Sequence, residues 1–191
     1  MKTQLIIALK FLLVMTVLTG IVYPLFMTGL AQLCFHYKAN GSLVMKDGKI
    51  VGSELIGQKF DSSIYFWSRP SAIDYNPIPS GASNYGPTSE KLKKQVSERR
   101  AAFAANNSIT DLTAIPKEMI FASGSGLDPH ISPEAALCQL ERVAAARNFD
   151  AAQKQKVQQL IKDNTEEAQY YLFGEPRINV FKLNLAVDNI R

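Results

Sequence analysis

Apolar positions are distributed unevenly along this chain. Residues 11–35 carry no charge, and Leu, Ile, Val, Phe and Met fill most of the stretch. As a helix it extends about 37 Å, enough to cross the ~30 Å hydrocarbon core of a bilayer with some tilt. A lone span in lipid must satisfy every backbone amide and carbonyl internally, so this one is predicted to be helical. A cleaved secretory signal is the rival reading, because Gly29 and Ala31 stand at the small-residue spacing of a signal peptidase site. The run is longer than the roughly 7 to 15 residues of a signal core, however, and contains Pro24. A lipid attached at Cys34 is disfavoured by the bulk of Leu33 before it.

Beyond the span the periods change. Asn40-Gly41 makes a turn, and Asp47-Gly48 separates two short β-prone stretches, predicting a hairpin with strands at 42–45 and 49–51. Four prolines and two glycines between 65 and 87 forbid a continuous helix there. Tyr65, Phe66, Trp67, Tyr75 and Tyr85 recur through the same stretch, so an ordered loop is expected rather than a solvated linker. A helix is predicted from Thr88 or Ser89 to about 105, with Leu92, Val96 and Phe103 on one face. The stretch from 106 to 116 reads as a connection. Ser132-Pro133 starts a helix running to Arg147, with Leu137, Leu140, Val143 and Ala144 inward. Asp150 and Gln153 form a capping-box start for another helix carrying Val157, Leu160 and Ile161. Residues 177–190 alternate Phe181, Leu183, Leu185 and Val187 against Lys182, Asn184 and Ala186, which predicts a strand turning helical from Asp188. The expected class is α+β: a tail at 1–10, one N-terminal transmembrane helix at 11–35, and a single mixed α/β extracytoplasmic domain at 36–191.

Charge refines this picture. Lys2 and Lys10 precede the span, leaving 19 basic against 17 acidic residues after it, with no dense basic run, so nucleic-acid binding is disfavoured. Lys2, Lys10 and the amino terminus on one side face Lys38, Lys46 and Lys49 on the other. The count nearly ties, and the resemblance of the start to a signal anchor favours a cytoplasmic amino terminus with the domain exported. Two cysteines, Cys34 and Cys138, build no disulfide framework, and with His36 and His130 they do not fill a four-ligand zinc site.

Within the span, Thr16, Gly20, Pro24, Thr28 and Gln32 recur every four residues as a ridge of small or polar groups. Such residues mark helix contacts in lipid, where no hydrophobic drive exists, so the ridge is the candidate partner-helix face. The 65–87 loop is the candidate docking loop, through Trp67, Arg69, Tyr75, Asn76 and Tyr85. Arg69 there can stack on a ring and reach a carboxylate, bracing the loop or meeting a partner. Ser123 or Ser125 with Asp128 and His130 has the residue types of a hydrolytic triad. A nucleophile elbow requires G-x-S-x-G between strand and helix, whereas 122–126 reads A-S-G-S-G. The turn is expected instead to bond its own backbone ahead of the helix at Pro133. No catalytic residue and no metal ligand is assigned, and neither a phosphate-cradling G-x-x-x-x-G-K-[ST] loop nor the D-K-T-G motif of P-type pumps occurs.

Eight blocks lie in order behind the span: ANGSLV (39–44), VGSELIGQKF (51–60), YFWSRPSA (65–72), YNP (75–77), SGASNYGPTS (80–89), SGSGLDPHIS (123–132), RVAAAR (142–147) and GEPRINVFKLNLA (174–186). Together they resemble the signature blocks of the KdpC family, over nearly the whole chain. The resemblance implies an accessory, non-catalytic subunit of a high-affinity potassium uptake pump in the cell inner (plasma) membrane. Its implied partners are a channel-like potassium-binding subunit, a P-type subunit that hydrolyses ATP, and a small membrane subunit. The family is described as a catalytic chaperone raising the ATP affinity of the hydrolysing subunit. An exported domain is separated from cytoplasmic ATP by its own anchor, so no ATP ligand is assigned, and ATP and potassium are left to the complex. A membrane-tethered envelope hydrolase using Ser125 and His130, or a tethered ligand-binding module, is the alternative.

Overall fold

Lipid-compatible composition produces one long helical rod. In the computed structural model, which describes residues 1–190, α1 (Lys2–Val17) runs through a π-helical turn (Leu18–Val22) into α2 (Tyr23–Cys34). The rod is long and apolar enough to cross a membrane, and it starts at Lys2, so the predicted tail is helical too. Its π-turn has a local cause. Pro24 has no N–H for the Gly20 carbonyl, and its ring crowds that carbonyl. Widening the preceding turn relieves the crowding, and Tyr23 N–H bonds the Leu18 carbonyl instead.

After a single turn, α3 (His36–Ala39), a hairpin of β1 (Leu43–Lys46) and β2 (Lys49–Ser53) completes a first unit, Met1–Ser53. Asp47 and Gly48 both take positive φ, 52° and 74°, as the tight hairpin turn requires.

From Glu54 onward the chain forms a second unit. Its helices are α4 (Glu90–Asn107), α5 (Pro133–Ala146), α6 (Ala151–Asp163) and α7 (Val180–Asp188). A small antiparallel sheet places β5 (Arg177–Asn179) between β3 (His130–Ile131) and β4 (Thr165–Glu166). Helix α5 lies at the centre, packed on α4, α6 and β5, while α7 packs on α6. Phe66, Phe103, Ile120, Ile131, Leu140, Val143, Val157, Ile161, Ile178, Leu183 and Val187 form one core. Ser132 caps α5 through Ala135 N–H, and Asp150 with Gln153 makes the expected reciprocal box at α6.

The predicted C-terminal strand is mostly a helix. Only 177–179 is extended; Asn179 then caps α7 by accepting from Lys182 N–H. Val180, Leu183, Asn184 and Val187 are buried, which is the i, i+3, i+4, i+7 face of a helix. The apparent alternation arose because Leu183 and Val187 satisfy both periods. Leu137, expected inward, is 48% exposed, since the buried face of α5 runs instead through Ala136, Gln139, Leu140 and Val143.

Candidate functional site

Residues 63–67 lie in no strand or helix, yet Phe66 is fully buried. Buried backbone must find partners somewhere, and here they are side chains. Arg142 Nη1 donates to the carbonyls of Ser63 (2.6 Å) and Tyr65 (3.0 Å), and Arg147 Nε donates to that of Ile64 (2.7 Å). Asn184 accepts from Phe66 N–H at 2.8 Å and donates to its carbonyl at 2.9 Å. Gln139 serves Trp67 likewise, at 2.8 and 3.3 Å. Helices α5 and α7 thus act as a clamp that replaces strand partners.

Arg142 is the centre of the clamp. Its Nε donates to Asn107 Oδ1 and its Nη2 to Gln139 Oε1, and its guanidinium lies 4.0 Å from the Trp67 ring centroid. No carboxylate pairs with it among the described residues, and burial pulls it down to about 10, so it stays charged at neutral pH. Arg147 reaches Asp188 at 2.8 Å beneath the Tyr65 ring. The stacking foreseen for Arg69 therefore belongs to Arg142. These clamp residues were missed by pattern reading; their signal was an arginine and a glutamine on the apolar face of one helix, and an asparagine between Leu183 and Leu185.

Arg69 instead bonds Asp128 at 2.8 Å, tying the aromatic loop to the 123–130 turn. Ser123 N–H donates to the Pro70 carbonyl, and Gly81 N–H to that of Ser125. Gly57 N–H donates to the Leu127 carbonyl at 2.7 Å, and a Cβ at position 57 would stand 2.6 Å from the Asp128 carbonyl oxygen, so only glycine fits. Burial alone would raise the Asp128 carboxyl. Hydrogen bonds from the His130 side chain and N–H, with Arg69, outweigh it and hold that carboxyl below the usual range. Arg69, Asp128, His130, Glu118 and Arg177 line a charged cleft of about 340 Å³. The Nε of Arg69 is buried there without a hydrogen-bond partner among the described residues.

The other loop candidates divide. Tyr75 donates its hydroxyl to the Arg69 carbonyl, and burial pushes its phenol up to about 12, aided by Asp61 and Asp74. Asn76 accepts from Ile78 N–H in an exposed turn, and Tyr85 is partly exposed. The structure thus brings Trp67, Arg69 and Tyr75 together as the braced inner side of the loop and leaves Asn76 and Tyr85 outside. A hydrolytic triad is not assembled: Ser125 Oγ accepts from Leu127 N–H, and the Asp128 carboxylate is held by Arg69 and His130 without a serine–histidine bond among the described residues.

On the apolar rod, Thr16, Gly20, Pro24, Thr28 and Gln32 are closer to one line than in a regular helix. At 100° per residue a four-residue repeat drifts about 40° per step, or about 160° over the set, and the extra residue of the π-turn removes about 100° of that. Thr28 donates to the Pro24 carbonyl, while Gln32 is engaged by His36 and Asn40. Apart from the adjoining helix backbone, no atom of the described residues lies within 4 Å of a Cβ built at Gly20, so its flank is open.

These features define a membrane-associated α+β protein with one apolar N-terminal helix and a side-chain-clamped second unit. The family model described as "K+-transporting ATPase, c chain" matches residues 5–189. The chain is 49% identical over 187 residues to the potassium-transporting ATPase KdpC subunit of Methylococcus capsulatus, covering 96% of each. It is 47% identical over 193 residues to that of Dechloromonas aromatica (100% of this chain, 99% of the relative) and 46% over 192 residues to that of Mycobacterium bovis (100% of both). The chain belongs to the KdpC family.

Proposed function

We propose that this chain is an accessory, non-catalytic subunit of an ATP-driven potassium uptake complex, stabilising the complex and promoting its activity. The observation that carries the reading is the family match over 5–189, which includes both the apolar rod and the clamped loops. In this reading residues 1–10 are cytoplasmic, 11–35 cross the inner membrane, and 36–191 lie outside. The ridge from Thr16 to Gln32 seats the rod against a partner helix. The loop through Trp67, Arg69, Tyr75, Asn76 and Tyr85 works toward the channel-like potassium-binding subunit, with Asn76 and Tyr85 as its outer contacts. Any effect on ATP affinity of the hydrolysing subunit is transmitted through these contacts, because the anchor keeps the domain apart from cytoplasmic nucleotide.

Two measurements test this. The detergent-extracted chain is expected to copurify with larger membrane subunits of the pump; migration alone would defeat the subunit reading. Single cysteines replacing Lys93 or Lys156 are expected to react with an impermeant reagent in intact cells, and labelling only after lysis would overturn the topology.

A further inference from the structure

Between β4 and β5 the chain makes a projecting turn whose side chains face away from the core. Tyr170 and Tyr171 are 85% and 86% exposed, Leu172 is 80% and Phe173 is 67%. Four consecutive large apolar or aromatic residues at a tip are far from the scattered exposure that needs no explanation. The backbone beneath them is ordered: Gln169 and Phe173 exchange N–H to carbonyl bonds at 2.8 and 2.9 Å, and Leu172 N–H reaches the Gln169 carbonyl. Arg177 closes the base on Glu166 at 3.1 Å.

The turn carries the wrong residues for its own geometry. Tyr170 and Tyr171 take φ of 55° and 58°, the pair of positive values that marks a hairpin turn normally given to Asn-Gly or Asp-Gly. The same chain places Asp47-Gly48 in the matching turn between β1 and β2. Strain held at exposed aromatic side chains that add nothing to the core is the pattern of a binding element. Preorganisation of the backbone that carries those rings lowers the entropy cost of docking.

The surroundings select the occupant. From 162 to 177 the chain has Asp163, Glu166, Glu167 and Glu175 against Lys162 and Arg177, and Arg177 is held by Glu166, so the base of the turn is net acidic by two charges. Anionic lipid headgroups would repel this acidic collar, and a second copy would bring the same collar against itself. We propose, on the basis of the subunit reading above, that the 169–174 turn is a plug for an apolar socket rimmed by basic residues on another protein subunit of the ATPase.

The test uses the full chain co-expressed with the rest of the pump. Replacing Tyr170-Tyr171 by Asn-Gly supplies the residues the turn prefers, so thermal stability is expected to hold or rise. Retention of the chain in the detergent-purified complex is expected to fall about tenfold, as for loss of aromatic anchors. Leu172→Ser is expected to lower retention without lowering stability. A photoreactive benzoyl-phenylalanine at 171 is expected to crosslink to another pump subunit near lysine or arginine. Unchanged retention in both variants, or crosslinks solely to lipid or to a second copy, would overturn the plug while leaving the subunit reading intact. Failure of the wild-type chain itself to copurify would remove both.

Discussion

A buried guanidinium without a carboxylate is costly to desolvate unless each of its nitrogens finds an acceptor. Arg142 meets this condition with the carbonyls of Ser63 and Tyr65, Asn107, Gln139 and the face of Trp67. Its fork geometry matters as much as its charge, because a lysine presents a single ammonium point. Arg142→Met and Arg142→Lys are both expected to lose about 3 kcal/mol, since each leaves buried acceptors unsatisfied. In thermal unfolding of the detergent-solubilised full chain this corresponds to a fall of roughly 10 °C. An Arg142→Lys variant that unfolds at the wild-type temperature would show that charge alone suffices.

The apolar rod shows how one residue reshapes an element. Pro24 creates the π-turn, and the π-turn gathers the four-residue repeat into a narrower stripe. Pro24→Ala should restore a regular helix and spread the stripe again by about 100° at its far end. Reduced copurification with the pump is expected, with helical circular dichroism unchanged or increased. Gly20→Leu puts a bulky side chain on the flank that is open at the Cβ position, and is expected to release the subunit through the contact face. Unchanged copurification of both variants would remove the stripe as an interface. Helix α7 teaches the converse lesson, because its strand-like alternation gave way once Asn179 offered a cap and Val180, Leu183 and Val187 found a helical face to bury.

Across the second unit, the aromatic loop and the 123–130 turn lock together at Arg69–Asp128 and at the backbone contact of Gly57 with Leu127. The Asp128 carboxyl lies below the ordinary value of about 3.9 in the folded protein. The stability it supplies is therefore complete above that ordinary value and is lost as pH falls through the lower folded value. Asp128→Asn is expected to unfold at lower temperature than wild type at pH 7, and the gap should narrow as pH falls below the ordinary carboxylate value of about 3.9, read by thermal scans of both chains. A gap that is constant with pH would assign the aspartate's contribution to shape rather than to charge.

Local chemistry alone determined the elements whose signals are local. The charge-free run dictated a helix because lipid leaves the backbone no other partner, and Ser132-Pro133 and Asp150-Gln153 marked helix starts because free N–H groups there require acceptors within a turn. Proline and glycine density likewise made 65–87 a loop, and its aromatics made it an ordered one. The tertiary structure decided what holds that loop. Arg142, Arg147, Gln139 and Asn184 reach its backbone across 72 to 118 positions of chain, a separation at which neither periodicity nor propensity carries information. It also gave Arg69 to Asp128, turned 180–188 into a helix, and left the Tyr170–Phe173 tip outside the core. Each of these outcomes depends on which partners arrive from elsewhere in the chain to satisfy a polar group or bury an apolar one.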